Sequence, residues 1–295
     1  MAIVGTGRMG AAMAARLCSQ GAHVVVHNRT SARAQTVAEE TGARMVGSAR
    51  EAATQAEVVL VSLADDAACE EAYAGPDGII AGLSAGSVVA DTSTVSPRTS
   101  RRLADLVGHA GAGMLDAPVS GSVPIVDRGE LTVMVGGAAD DLERARPVLE
   151  LLAARIVHLG GPGTGATMKL AVNSVVHALS QALSEALVLA ERAGVDRATA
   201  YGVFMESVVG APFVRYKRAA FEKPDETPVA FSLDLVLKDL DLVLDLAAEV
   251  GLPMPQAAAN RAAAAAAIEA GLGERDMSAI ATMLRAGSEV EAPPR

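Results

Sequence analysis

Apolar positions in the first half of the chain fall into short, unbroken runs separated by stretches of helical periodicity. Ile3-Val4, His23-Val24-Val25-Val26-His27, Val58-Val59-Leu60-Val61-Ser62-Leu63, Ser87-Val88-Val89-Ala90-Asp91, Met114-Leu115-Asp116-Ala117 and Leu131-Thr132-Val133-Met134-Val135 read as strands. Helical stretches lie between most of them, starting with residues 11–20, which Gly21 ends. Strand–helix alternation over residues 1–161 predicts an α/β domain built on a mostly parallel, doubly wound sheet. The pattern changes at Gly160-Gly161-Pro162-Gly163-Thr164-Gly165, a breaker-rich junction. From Ala166 to Ala193 the periodicity is helical throughout, about 40 Å of helix at 1.5 Å per residue. Its Ala, Leu and Val content predicts burial on most sides. Arg197–Val208, Leu233–Val250 and residues 256–271 continue as helix, so residues 162–295 are expected to form an all-α domain that starts with one long helix. A helix this apolar predicts that the domain is shared with another copy, in a homodimer or homotetramer.

The first run leads into Gly5-Thr6-Gly7-Arg8-Met9-Gly10. Gly-x-Gly-x-x-Gly between a strand and a helix has a physical use. The first glycine permits a tight turn, the second lets a pyrophosphate approach the backbone, and the third lets the helix pack close to the strand. Free N–H groups and the helix dipole then favour the phosphates. The motif sits in a complete βαβ unit, which makes the domain a Rossmann-type dinucleotide binder. The second strand ends in Asn28-Arg29-Thr30, where an NAD site usually carries an acidic residue. Asn28 cannot repel a 2′-phosphate, Arg29 can hold one bidentately, and Thr30 can donate to it. NADP(H) is therefore the expected cofactor, with NAD(H) as the alternative and a merely solvated Arg29 as the competing reading. The glycines at 160–165 are not a nucleoside-triphosphate loop, because the Gly-Lys-Ser/Thr ending is absent.

Composition narrows the class. Half of the 295 residues are hydrophobic but only 2% are aromatic, so the core is built of Ala, Val and Leu. A net charge of −10 argues against nucleic acid as a partner. Cys18 and Cys69 provide neither a disulfide framework nor a metal site. No signal peptide or membrane-spanning run is visible, which predicts a cytoplasmic protein without a membrane partner. Only four residues precede Gly5, so the first strand is either short or missing its start.

Ligands of open α/β sheets bind outside the carboxyl ends of the strands. Leu63-Ala64-Asp65, Asp91-Thr92-Ser93-Thr94 and Asp116-Ala117-Pro118-Val119-Ser120-Gly121-Ser122 lie at such ends. The last is turn-forming, and its N–H groups with the Ser120 hydroxyl could hold a carboxylate; an ordinary serine-capped loop is the alternative. On the long helix, Lys169, Asn173 and His177 recur every four residues on one stripe. A lysine beside a nicotinamide can protonate a carbonyl oxygen as hydride arrives, and take the hydroxyl proton in reverse. Asn173 can bond the same hydroxyl or fix the lysine, and His177 reads as structural. An exposed helix-end lysine is the competing reading of Lys169.

Taken together these segments resemble the β-hydroxyacid dehydrogenase family, which includes 3-hydroxyisobutyrate dehydrogenase and the glyoxylate/succinic semialdehyde reductases. The resemblance covers essentially the whole chain through GTGRMG at 5–10, DTSTVSP at 91–97, DAPVSGS at 116–122, GATMKLAVN at 165–173 and KDLDL at 238–242. It implies Lys169 as general acid/base with Asn173 beside it, and Ser120, Gly121 and Ser122 around a substrate carboxylate. It implies Leu63, Ala64 and Thr94 at the cofactor, beside Gly5, Thr6, Gly7, Arg8, Met9, Gly10, Asn28, Arg29 and Thr30 of the dinucleotide motif. Lys238 would close over cofactor and substrate. Ser122 departs from the more usual glycine there, and with Asn28-Arg29-Thr30 it looks more like the NADPH-using semialdehyde reductase branch, as do Ser184–Ala190 and Gly271–Asp276. The resemblance thus implies an NADPH-dependent reductase of small carboxylate-bearing aldehydes or, in reverse, a 3-hydroxyacid dehydrogenase. An imine reductase-like enzyme is disfavoured by Lys169, and 6-phosphogluconate dehydrogenase by chain length. A non-catalytic NADP-binding sensor or interaction protein is the alternative of another class.

Overall fold

The computed structural model describes residues 1–287 and divides into two compact units, Met1–Lys169 and Leu170–Arg295. Unit 1 is organised by a nine-stranded sheet in the order β3-β2-β1-β4-β5-β6-β8-β7, with β9 also paired to β8. The strands are β1 (Ala2–Val4), β2 (Val25–His27), β3 (Arg44–Met45), β4 (Val58–Val61), β5 (Val88–Asp91), β6 (Gly113–Asp116), β7 (Val119–Ser120), β8 (Leu131–Gly136) and β9 (Ala153–Gly160). Pairing from β3 to β6 is parallel throughout, and β8 reverses direction against β6 and β7.

Period-two alternation sends neighbouring side chains to opposite faces. Ile3, Val26, Leu60, Ala90 and Leu115 enter one core with Met13 and Leu17 of α1 (Arg8–Ser19), Ala34 and Val37 of α2 (Ser31–Thr41) and Leu142 and Leu149 of a later helix. Ala2, Val4, Val59, Val61 and Val89 enter the other, with Ala52 of α3 (Ala49–Thr54), Cys69 and Tyr73 of α4 (Asp66–Ala74), and Leu103 and Val107 of α5 (Pro97–His109). Both faces being covered explains why these strands are continuous apolar runs. The short helix α6 (Val123–Arg128) and α7 (Ala139–Leu149) complete the unit. β1 has β2 on one side and β4 on the other, so strand order reverses at β1, where an open α/β sheet presents its ligand crevice.

Helix α8 (Thr164–Arg192) has 29 residues and contains the division between the units. Unit 2 continues with α9 (Arg197–Glu206), α10 (Pro212–Glu222), α11 (Leu233–Glu249), α12 (Pro255–Ala267) and α13 (Ala279–Ala286), around a core that includes Leu183, Leu187, Tyr201, Phe221, Leu240 and Val243. Most of α8 is buried or half-buried, as its composition predicts, and Met168, Val175 and Leu189 are left exposed along one edge. Among the described residues no helix is long and apolar enough to cross a membrane.

Several boundaries move for physical reasons. The run 23–27 contracts to Val25–His27 because its partner β1 offers only Ala2–Val4 to pair with. The run 58–63 ends at Val61, after which Leu63 N–H donates to Ser93 Oγ instead of to a strand. β9, the longest strand, was not legible as one: it carries Arg155 and His158, is largely exposed, and is defined by its parallel pairing to β8.

Candidate functional site

The turn after β1 is a cradle that only glycine can build. Gly5 has φ +98°, and a Cβ there would run into the Ser62 carbonyl oxygen. A Cβ on Gly10 would strike the Gly5 carbonyl, so α1 packs against the turn at backbone distance. Gly7 differs, because a Cβ there would meet nothing within 4 Å. It is also the N-cap of α1 and supplies no side-chain cap, so the first N–H groups of the helix are left for another acceptor. This geometry fits a pyrophosphate over Gly7, Arg8 and Met9. Thr6 is buried beneath it with Oγ1 unpartnered.

At the end of β2, Asn28 Oδ1 accepts from Thr6 N–H at 3.0 Å, and Nδ2 donates to the Thr30 carbonyl at 3.1 Å. Asn28 therefore ties the glycine turn to the second strand. Arg29 projects into solvent, 81% exposed, with Nη1 3.1 Å from Oε2 of Glu71 on α4. The motifs of the sequence do not include Glu71, and it engages the Arg29 guanidinium.

The next two strand ends are pinned by buried carboxylates. Asp91 accepts from Tyr73 Oη at 2.9 Å and from Ser93 N–H at 2.9 Å, while Thr92 Oγ1 donates to the Val61 carbonyl at 2.7 Å. The 92–94 turn, with half-buried Thr94, is held in place by these bonds. Burial pushes the Asp91 carboxyl above its ordinary value, more than its hydrogen bonds from Ser93 and Tyr73 pull it down. Asp116, the parallel partner of Asp91 in the ladder, accepts from Gly163 N–H and from Ala166 N–H at 2.8 Å each. It thereby caps the start of α8. Burial also raises this carboxyl, against the pull of the same backbone donors. Gly165 lets the helix start approach, since a Cβ there would meet the Asp116 and Met134 carbonyl oxygens.

That cap fixes Lys169, less than one turn after Ala166. Lys169 is half-buried, and its Nζ donates to the Val119 carbonyl at 2.8 Å. The Ser120–Gly121–Ser122 turn follows directly. Gly121 has φ +143°, a conformation that suits glycine, and a Cβ there would crowd Leu131 and Ile125. Ser122 is the N-cap of α6 but makes no side-chain cap bond, so its hydroxyl is not spent on that helix. Lysine and turn, about fifty residues apart in sequence, share one end of the sheet in unit 1.

Asn173, His177 and Lys238 lie in unit 2 around Asp239, the second residue of the KDLDL segment, to which the sequence assigns no role of its own. Asp239 is fully buried on the apolar stripe of α11, with Val236, Leu240 and Val243. Its signal was present in the pattern: an acidic residue on a helical face otherwise made of Leu and Val. The described residues contain no cluster of potential metal ligands.

Comparison with known proteins accounts for nearly the whole chain. Residues 1–160 match the family model for the NAD-binding domain of 6-phosphogluconate dehydrogenase, and residues 163–284 the model for the NAD-binding part of NADP-dependent 3-hydroxyisobutyrate dehydrogenase. The chain is 31% identical to 3-sulfolactaldehyde reductase of Escherichia coli over 99% of its own length and 98% of the relative's. It is 32% identical to chloroplastic glyoxylate/succinic semialdehyde reductase 2 of Arabidopsis thaliana, over 98% and 80%. The crystal structure of 3-hydroxyisobutyrate dehydrogenase from Salmonella typhimurium superposes with a TM-score of 0.87 at 29% identity, covering 96% of this chain and 98% of that one. With a dinucleotide cradle at one end of its sheet and these relatives along its length, the chain belongs to the 3-hydroxyisobutyrate dehydrogenase-like family of NAD(P)-dependent oxidoreductases, enzymes acting on CH–OH groups.

Proposed function

We propose that the protein is an NADPH-dependent reductase of small aldehydes bearing a carboxylate, of the glyoxylate or succinic semialdehyde type, and in reverse a 3-hydroxyacid dehydrogenase. The observation that carries this reading is the 2.8 Å bond from Lys169 Nζ to the Val119 carbonyl, which sets an ammonium beside the Ser120–Gly121–Ser122 turn.

NADPH supplies a hydride from nicotinamide C4. The protein's part begins with the cradle at Gly5–Gly10, which holds the pyrophosphate, while Leu63, Ala64 and Thr94 line the cofactor's path along the strand ends. Arg29 exchanges Glu71 for the 2′-phosphate, with Asn28 and Thr30 shaping that corner. N–H groups of the 120–122 turn and the Ser120 and Ser122 hydroxyls hold the substrate carboxylate. Lys169 keeps one N–H on Val119 and gives a proton from another to the carbonyl oxygen as charge develops there; in the reverse direction it takes that proton back. Asn173 accepts a hydrogen bond from the substrate hydroxyl or from Lys169, and Lys238 is assigned to cofactor and substrate binding. Exposed Met168, Val175 and Leu189 on α8 support assembly with a second copy as a homodimer or homotetramer.

An imine reductase reading lacks a use for Lys169, and a non-catalytic NADP sensor would need no proton donor at all. Initial rates with glyoxylate, succinic semialdehyde, methylmalonate semialdehyde and tartronate semialdehyde, each with NADPH and NADH, test the proposal. Turnover of at least one with NADPH, at a lower KM than for NADH, is expected. NADPH binding without turnover of any of them, or better use of NADH, overturns it.

A further inference from the structure

Unit 2 buries an anion in a helical core, and a buried carboxylate persists only where donors surround it. Three side chains converge on Asp239. Asn173 Nδ2 donates to Oδ2 at 2.5 Å, Lys238 Nζ lies 2.9 Å from Oδ1, and His177 Nε2 stands 3.6 Å from Oδ2. The lysine forms an ion pair with this carboxylate. His177 is buried against Phe231, and neither of its ring nitrogens has a hydrogen-bond partner. Asn173 makes a short, directional bond to this carboxylate.

That bond decides the polarity of Asn173. A carboxamide has a donor end and an acceptor end, and an ionised carboxylate can only accept. Burial pushes the Asp239 carboxyl up, but the approach of His177 and the charge of Lys238 together outweigh burial and hold it below the ordinary carboxylate range. The amide must therefore give its nitrogen to Asp239 and turn its oxygen away. Asn173 follows Lys169 by one helical turn on the same stripe of α8.

We propose that Asp239 is a positioning residue for the reaction: by holding Asn173 Nδ2, it presents the amide oxygen of Asn173 as a fixed acceptor for a hydroxyl or ammonium proton at the reacting end of α8. Without this anchor the amide can flip and offer N–H groups instead, which would repel the proton that has to be held there. His177 and Lys238 keep the carboxylate in place. The inference rests on the reductase reading above.

A double-mutant cycle tests it, with kcat and the NADPH dissociation constant measured for each protein. Asn173→Leu and Asp239→Leu should each lower kcat about 100-fold while leaving NADPH binding within about twofold. Asp239→Asn keeps an acceptor for Asn173 Nδ2 and should recover kcat to within about tenfold of the parent. The Asn173→Leu/Asp239→Leu protein should be no slower than Asn173→Leu alone, because Asp239 has nothing left to position. A further tenfold loss in the double variant, or an Asp239→Asn protein as slow as Asp239→Leu, overturns the proposal. Should Asp239→Leu alone fail to fold, the double variant and Asp239→Asn still decide the question, since neither strands the Asn173 amide beside an apolar side chain. No turnover by the parent protein overturns both this inference and the reductase reading. A Lys169→Ala protein with parental kcat overturns only the role of Lys169.

Discussion

The two units bury carboxylates in opposite ways. In unit 1, Asp91 and Asp116 are held mainly by neutral donors: the backbone N–H groups of Ser93, Gly163 and Ala166 and the Tyr73 hydroxyl. Dipoles orient these carboxyls but do not fully offset burial, and both are pushed above their ordinary values. In unit 2, Asp239 faces Lys238 and His177, Asp276 accepts two bonds from buried Lys217, and Glu191 pairs with Arg285 and Arg197. There hydrogen bonds and the charges of Lys238, Lys217, Arg285 and Arg197 outweigh burial, and all three carboxyls are held below their ordinary values. Neutral caps fix geometry at the strand ends, where an anionic cofactor and substrate are proposed to sit. Full ion pairs belong to the helical unit, where Asp276 and Glu191 tie helices together and Asp239 is proposed to hold Asn173.

If the strand-end geometry serves chemistry, the largest effect comes from its endpoint. Lys169→Ala should keep NADPH affinity and lose about a thousandfold in kcat, read by fluorescence titration and steady-state rates. Next comes the cap behind it. Asp116→Ala leaves the Gly163 and Ala166 N–H groups without their acceptor, at about 4 kcal/mol in total, or roughly 10 °C in Tm. Asp116→Asn should lose about half as much, since it still accepts one bond. A smaller Tm loss for Asp116→Ala than for Asp116→Asn would break the neutral-cap account.

Acid separates the units more gently. A carboxyl held low contributes stability above its unfolded value, about pH 3.9 for Asp and about 4.3 for Glu, and loses it as pH falls through the folded value. A carboxyl pushed up does the reverse, and its contribution fades as pH rises through the folded value. On acidification from neutral pH, Asp91 and Asp116 therefore gain protons at no loss to unit 1, while Asp239, Asp276 and Glu191 give up their stabilisation of unit 2 at lower pH. Hydrogen exchange should show peptides around 173–192 and 233–249 losing protection before peptides around 88–91 and 113–116. The opposite order contradicts the contrast. The smallest effect concerns a solvated pair. Glu71→Gln frees Arg29 from a competitor and should tighten NADPH binding about two- to fivefold without changing NADH, a modest gain because both side chains are largely exposed. A change of equal size for NADH would remove Arg29 from the 2′-phosphate site.

What the sequence shows and hides follows the same division. The glycine turn, the parallel strands and the Lys169 helix announce themselves as local patterns of spacing and periodicity. Gly10 is required by its close approach to the Gly5 carbonyl, which the motif spacing encodes, whereas the Ser62 carbonyl that Gly5 meets comes from a distant strand end. β9 depends on a partner strand, and α10 begins at Pro212 with a mixed polar face, so neither announces itself. Asp116 was visible as a strand-end residue, but its capping of Gly163 and Ala166 joins segments about fifty positions apart. Asp239 lies 66 positions from Asn173, and only the fold reveals that the two meet.

The central claim is that Lys169 delivers the proton while the nicotinamide delivers the hydride. It is tested most directly by the pH dependence of single-turnover NADPH oxidation with glyoxylate or succinic semialdehyde, in the parent and in Lys169→Ala. The account predicts a parental rate that falls at high pH, once Lys169 has lost its proton, and a slow Lys169→Ala rate without that alkaline limb. A variant that keeps both the parental rate and its alkaline limb would contradict it.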